Sequence, residues 1–223
     1  MSLKIYHIRK LSGQDTDFRP TILNALRAAQ TYKAYKNNND IVNVYIASGF
    51  FDTVAAHPLN PNGNLNNNVN NTVNLHQALQ GLDNLYLIGA FSGSRDELSL
   101  ARQLKNGNVL NINAYYKWRF HAKIFVITIN GNPVFEIIGS SNMTNPAYCG
   151  IIKSNKPSPN VECDLVIFDE HMINVVIETS PQIMQFRYFS EDNNEIPLID
   201  KMYDIMGILK EMIDPKYDIT DQI

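Results

Sequence analysis

A histidine, a lysine and an asparagine stand at spacings that could bring all three to one phosphate. His121 and Lys123 are two residues apart in the largely apolar stretch 120–127. Side chains two apart on a strand project from the same face, about 6.5–7 Å apart along the chain. Asn142 follows a second apolar stretch. An imidazole can act as nucleophile or acid, while an ammonium and a carboxamide can bind phosphate oxygens. The pattern therefore predicts phosphodiester chemistry.

The two apolar stretches are predicted to pair as an antiparallel hairpin. Residues 130–133 read Asn-Gly-Asn-Pro, which favours a turn, and residues 134–138 are typical of a second strand. The second strand would return beside the first. It would carry Ser140 and Asn142 back towards the end of the sheet where His121 lies.

The motifs of this hairpin resemble those of the phospholipase D superfamily, in which His-x-Lys is followed by Gly-Ser-x-x-Asn or a close variant. This chain has His-Ala-Lys at 121–123 and Gly-Ser-Ser-Asn at 139–142. The superfamily also has an acidic residue on the next strand, often within Asn-x-Glu, and Asn-Val-Glu at 160–162 fits that pattern. The resemblance implies five catalytic residues: His121, Lys123, Asn142, Glu162 and Ser140.

One departure from the superfamily pattern bears on the substrate. The longer motif has Asp five residues after the Lys, where this chain has Thr128. Phosphodiesterases of the restriction-endonuclease kind tolerate that loss, whereas the lipases usually retain the Asp. The departure favours nucleic acid, with DNA as the expected substrate, over phospholipid.

The chain contains a single His-x-Lys set. Enzymes that this chain resembles use two sets per active site, because one His attacks phosphorus while the other protonates the leaving oxygen. We therefore expect a homodimer in which two copies of His121, Lys123 and Asn142 meet across a two-fold axis. Glu162 would accept the other N–H of the His121 ring. The aromatic segment 115–118 would lie either near this interface or in ordinary packing at the sheet edge.

The charge of the whole chain is mildly acidic, with a net charge of -3 and a pI of about 5.9. Such a balance argues against a protein that coats nucleic acid through bulk electrostatics. Basic residues nevertheless cluster around the motifs, which suits an enzyme that binds a few phosphates, although each could also belong to a solvated face. The candidate substrate-binding residues are Lys117, Arg119, Ser141 and Lys153.

No cofactor and no metal are expected. The five histidines lack a ligand spacing such as His-x-x-x-His, and two cysteines are too few for a thiolate metal site or a disulfide framework. There is no run of eighteen apolar residues, and residues 1–4 do not resemble the start of a signal peptide. We expect a cytoplasmic protein without membrane contact.

Alternating strand and helix patterns predict an α/β fold with a mixed sheet flanked by helices, as the resemblance also implies. Its 223 residues suit one domain, 1–223, which could be the N-terminal part of a longer protein. Residues 57–74, with nine asparagines, are predicted to be a mobile loop. The predicted strands are 5–10, 41–47, 84–91, 109–114, the hairpin and 163–168, and the predicted helices are 21–36, 75–82, 95–104, 170–179 and 199–213.

Three functions fit these observations. The first is a metal-independent endonuclease of the restriction-enzyme type. The chain has no room for a sequence-reading domain, so it would be part of a longer protein, work with a separate recognition subunit, or be a nuclease of low specificity. The second is a phospholipid hydrolase or phosphatidyltransferase, against which the single motif and Thr128 count. The third is a non-catalytic dimerising or nucleic-acid-binding module, against which the retained motif residues count.

Overall fold

The computed structural model describes residues 3–10, 18–35, 39–51, 75–89, 96–106, 109, 111–117, 123–143, 162–177, 183–186 and 196–223. Within these ranges eight strands form one sheet in the order β4-β3-β2-β5-β6-β7-β1-β8. The strands are β1 Leu3–Lys10, β2 Val42–Ser48, β3 Asn84–Gly89, β4 Ile112–Tyr116, β5 Lys123–Ile129, β6 Asn132–Gly139, β7 Glu162–Asp169 and β8 Ile183–Phe186. The helices are α1 Phe18–Tyr35, α2 Leu75–Leu79, α3 Asp96–Asn106 and α4 Ile196–Met212. The predicted α/β fold with a mixed sheet is confirmed.

The sheet is parallel on one side and antiparallel on the other. Strands β2, β3 and β4 run parallel, while β5, β6, β7, β1 and β8 each run antiparallel to the strand before them in the sheet. The predicted hairpin is confirmed as β5–β6. Its turn residues Asn130 and Gly131 have φ values of 52° and 82°, and two positive φ values at a two-residue turn match the twist of an antiparallel pair. Asparagine and glycine tolerate that backbone best.

Helices cover both sides of the sheet. On the side that we call the first face, α1, α2 and α3 pack against alternate residues of the central strands, such as Val44, Ile46, Phe125 and Ile127. On the second face, α4 packs Met206, Leu209 and Met212 against Tyr45 and Val126. Because successive side chains of a strand point to opposite faces, each strand contributes to both cores.

The edge strand β4 is covered by the C-terminal segment. The Ile219 amide donates to the Ala114 carbonyl at 2.9 Å, and Asp218 forms a bridge with Tyr115. Tyr115 is 8% exposed, and its ring stacks on that of Tyr86. Of the two placements expected for the aromatic segment, this packing favours the sheet edge for Tyr115.

The secondary structure differs from the predictions in three places. The predicted helix 170–179 is wrong over its described part, because residues 170–172 form a turn and residues 173–177 are not helical. Ile173 and Val175 are buried while Asn174 and Val176 are exposed, so the apolar residues alternate as in an extended chain. Strand β8 was not predicted, and β4 lies later in the chain than the predicted 109–114.

Some predicted features lie outside the described residues. They include the predicted loop 57–74 and the candidate residues His121, Arg119 and Lys153. Among the helices that the structure does describe, none has both the length and the apolar character needed to cross a bilayer.

Candidate functional site

One end of the sheet gathers the described motif residues. Lys123 pairs with Gly139, and Gly139 pairs with Asp164. Ala47 pairs with Ile124 on an antiparallel strand, so the next residues, Ser48 and Lys123, lie beside each other. Paired residues on antiparallel strands are about 4.5–5.5 Å apart at Cα. These four residues all lie on the first face of the sheet, because each is an even number of residues from a first-face core residue on its own strand. We call it the sheet-end row: Ser48, Lys123, Gly139 and Asp164.

Two adjacent serines bind two acids of β7. The Ser140 hydroxyl donates to Glu162 Oε2 at 2.6 Å and accepts from the Cys163 amide at 2.9 Å. Ser141 donates twice to Asp164, from its hydroxyl to Oδ2 at 2.5 Å and from its amide to Oδ1 at 3.1 Å. The turn that follows β6 is therefore fixed to β7 through both serines.

The glycine of the motif is required by the acid beside it. A Cβ on Gly139 would overlap the Asp164 carboxylate and the Cys163 carbonyl oxygen. Asp164 is only 2% exposed. Burial raises the pKa of Asp164 above its usual range, although the hydrogen bonds from Ser141 oppose that shift. The carboxyl group thus fills the space that any side chain at position 139 would need.

The Asn142 carboxamide is oriented from the other side, by the residues that follow β2. Its Oδ1 accepts from the Phe50 amide at 3.3 Å and lies 3.2 Å from the Ser48 hydroxyl. A backbone amide can only donate, so this contact identifies the oxygen of the carboxamide. Nδ2 has no hydrogen-bond partner in the described part of the chain. Its two N–H groups are therefore donors that no described residue occupies.

The structure brings four predicted catalytic residues, Lys123, Ser140, Asn142 and Glu162, to this end of the sheet. Glu162 is 7% exposed and hydrogen-bonded to Ser140. Its predicted contact with His121 lies outside the described residues. The candidate substrate-binding residue Ser141 is 2% exposed, and its hydroxyl binds Asp164.

Lys117 lies at the same end of the sheet but on a distant strand. It follows β4, which is three strands from β5, and neighbouring strands are about 4.8 Å apart. Its ammonium nitrogen is 5.5 Å from the centre of the Tyr217 ring. Lys117 and Lys123 are therefore separated by about 14 Å across the sheet, which is more than one phosphate group spans.

Sequence reasoning missed Asp164 and the role of Ser48. Asp164 stands two residues after Glu162, so the period of a strand places both acids on one face. That spacing was the available signal. The contact of Ser48 with Asn142 joins residues 94 positions apart, so the sequence around Ser48 carried no local signal of it.

Within the described residues, this end of the sheet contains hydrogen-bond donors and the ammonium of Lys123. In the described ranges no three His, Cys, Asp or Glu side chains are grouped as a metal site requires. The acids of β7 are turned towards the serines, while the Lys123 ammonium and the Asn142 amide are groups that suit an anion. Such a set can bind and polarise the oxygens of a phosphate.

No protein-family model matches the chain, and no curated protein matches it. Several solved structures are similar to it, among them the following three. NucT from Helicobacter pylori has 11% identity and a TM-score of 0.42, over 92% of this chain and 97% of that one. Polyphosphate kinase from Porphyromonas gingivalis has 11% identity and a TM-score of 0.43, over 95% of this chain and 27% of that one. Yeast tyrosyl-DNA phosphodiesterase has 10% identity and a TM-score of 0.42, over 79% of this chain and 48% of that one. These matches are coarse in both sequence and backbone.

Proposed function

We propose that the chain is a metal-independent phosphodiesterase of the phospholipase D type that cleaves nucleic acid as an endonuclease. The observation that supports this most is that Lys123, Asn142 and Glu162, from three separate motifs, meet at one end of the sheet. The motif spacing predicted that these residues lie close together, but the order of the motifs along the chain does not by itself require it. DNA is the proposed substrate because Thr128 replaces the Asp that lipases of this kind usually retain.

In the proposed reaction His121 is the nucleophile. Its neutral imidazole nitrogen attacks phosphorus, the bond from phosphorus to the leaving oxygen breaks, and that oxygen takes a proton from a second imidazolium. Water then loses a proton to the second imidazole and attacks the phosphohistidine. The P–N bond breaks and His121 is regenerated.

Lys123 and Asn142 would stabilise the charge that develops on the non-bridging oxygens. An ammonium and two N–H donors that are already in position need little reorganisation when that charge forms. Removing one such donor typically lowers kcat by about 10²–10³. Glu162 would orient the His121 ring and, through Ser140, the turn that precedes Asn142.

The second imidazole requires a second copy of the chain, since the sequence holds one His-x-Lys set. A two-fold axis near the sheet-end row would give both copies the same role. The edge of β4 is covered by the C-terminal segment of its own chain. The proposed dimer therefore uses a surface other than that edge, and sequence reading would belong to a separate domain or subunit.

Cleavage of supercoiled plasmid in the presence of EDTA tests this proposal. We expect the wild-type protein to cleave, and His121→Ala to lose at least about 10³-fold in rate because the nucleophile is gone. His171→Ala is the matched control, because His171 is exposed and lies in the turn after β7.

Two results would contradict the proposal. One is cleavage that appears only with added divalent metal, and the other is a His121→Ala protein that cleaves as fast as His171→Ala. The solution mass of the active species tests the shared site, because an active monomer would leave the leaving oxygen without the second histidine.

A further inference from the structure

Asn142 is held from two sides by residues that none of the catalytic motifs includes. On one side, Ser48 and Phe50 contact its carbonyl oxygen. On the other, Asp164 holds the preceding residue, Ser141, by its amide and its hydroxyl. We propose that Ser48 and Asp164 are positioning residues that fix the Asn142 carboxamide with its N–H groups towards a phosphate oxygen. This inference rests on the proposed phosphodiester chemistry for its catalytic meaning, but the orientation itself can be measured without turnover.

Ser48 is suited to this role because it connects two segments. Ser48 is 1% exposed, and its hydroxyl lies 2.6 Å from the Phe50 carbonyl and accepts from the Met143 amide at 3.2 Å. Phe51 and Met143 form a parallel bridge just beyond it. The segment after β2 and the segment after β6 are thereby joined on both sides of Asn142.

Asp164 is suited to it because its contacts are short and enclosed. Both carboxyl oxygens are used by Ser141, and Gly139 provides the space that the carboxyl group occupies. A buried group with two such bonds fixes the backbone at Ser141, and the next residue is Asn142. Asp164 therefore acts on Asn142 through Ser141, the residue that it holds by both carboxyl oxygens.

A positioning role predicts non-additive kinetics. Ser48→Ala and Asp164→Ala should each lower kcat by about 10–100-fold with KM changed less than threefold, because a small misplacement of a donor weakens the transition state more than substrate binding. In an Asn142→Ala background the same substitutions should add less than threefold, because the group that they position is gone.

Asp164→Asn is the conservative variant that separates position from charge. The Asn oxygen can accept from the Ser141 amide and its NH2 can donate to the Ser141 hydroxyl, so the variant should keep within about threefold of wild-type kcat. A loss as large as that of Asp164→Ala would mean that the charge matters and would overturn the positioning role.

The side-chain amide signals of Asn142 give the decisive readout, which is independent of cleavage. They are identified in the proton–nitrogen spectrum of isotope-labelled protein by their disappearance in Asn142→Ala. We expect them to shift or broaden in Ser48→Ala and Asp164→Ala, to stay in place in Asp164→Asn, and to be unaffected by Asn174→Ala, an exposed control. Unchanged Asn142 signals in folded Ser48→Ala would overturn the inference. A wild-type protein that cleaves nothing would instead overturn the proposed function, and the spectra would still decide the orientation of Asn142.

Discussion

Two buried carboxyl groups lie on opposite faces of the sheet and differ in their partners. Asp164, on the first face, is 2% exposed and receives two hydrogen bonds from Ser141. Glu136, on the second face, is 0% exposed, and neither of its carboxyl oxygens has a hydrogen-bond partner in the described part of the chain. Its neighbours across the sheet are Val126 and Ile167. Burial alone therefore does not connect an acid to the motif residues, since of these two carboxyl groups only Asp164 is hydrogen-bonded to one of them.

The two environments have different electrostatic consequences. Burial raises the pKa of Glu136 to about 9, so this side chain is neutral at physiological pH. Burial also raises the pKa of Asp164, but hydrogen bonds from Ser141 favour its charged form and limit the rise. A neutral carboxyl group is far cheaper to bury than a charged one. Glu136 is therefore expected to affect stability, and Asp164 to affect the site.

Gly139→Ala tests the close packing of Asp164 and should have the largest effect on stability. The new Cβ would overlap the Asp164 carboxylate and the backbone of Cys163 and Asp164, which a paired strand cannot easily move. We expect a loss of about 3 kcal/mol in the free energy of unfolding, measured by urea denaturation.

Gly207→Ala is the matched control for that substitution. Position 207 lies within α4, and a Cβ there would meet nothing within 4 Å. The control should gain about 0.5–1 kcal/mol, because alanine favours a helix more than glycine does. A Gly139→Ala protein as stable as Gly207→Ala would contradict the packing of Asp164 against the motif glycine.

Glu136→Gln tests the unpartnered acid and should have the next largest effect. The folded state keeps the proton of Glu136 up to a pKa of about 9, whereas the unfolded chain releases it near the ordinary glutamate pKa of 4.5. Unfolding in this window releases a proton, so wild-type stability falls as pH rises and levels off above the folded pKa. Relative to Glu136→Gln, the wild type should lose about 2–3 kcal/mol between pH 6 and pH 8.

Glu211→Gln, at an exposed position of α4, is the control; it keeps Glu136, so its stability should fall with rising pH in parallel with that of the wild type. The measurement is the free energy of unfolding of the three proteins across pH. Parallel curves for wild type and Glu136→Gln would mean that Glu136 is charged in the folded protein, and would remove the contrast with Asp164.

Ser141→Ala should make Asp164 resemble Glu136, with the smallest of the three effects. It removes the hydroxyl bond to Oδ2 and leaves the amide bond to Oδ1. We expect a loss of about 1–2 kcal/mol, growing as pH rises, because a poorer set of partners raises the pKa of Asp164 further. Ser99→Ala, a half-buried position in α3, is the control. If the loss of unfolding free energy in Ser141→Ala became smaller as pH rises, it would contradict a further rise in the pKa of Asp164.

Local patterns were sufficient for much of the sheet and for part of the site. The Asn-Gly turn and the apolar stretches beside it predicted the β5–β6 hairpin, and the motif spacing predicted that Lys123, Ser140 and Asn142 meet. These features depend on residues close together in sequence. Turn chemistry and the two-residue period of a strand are enough to predict them.

Other features depend on contacts between distant segments. A helix was predicted over 170–179, but tertiary packing of Ile173 and Val175 in the first-face core selects an extended chain. Glu136 is buried on the second face by elements that lie far along the chain. The local sequence of β6 therefore did not predict that this side chain is buried. The contact between Ser48 and Asn142 likewise follows from the order of β2, β5 and β6 in the sheet.

The proposed phosphohistidine tests the central claim most directly. A DNA duplex with a radiolabelled phosphate at a cleaved position would be mixed with excess protein in EDTA and quenched in alkali, where a phosphorus–nitrogen bond to histidine survives. We predict labelled wild-type protein whose label maps to the peptide containing His121, and no label on His121→Ala. Active wild-type protein that never carries label, or label that persists on His121→Ala, would contradict the account.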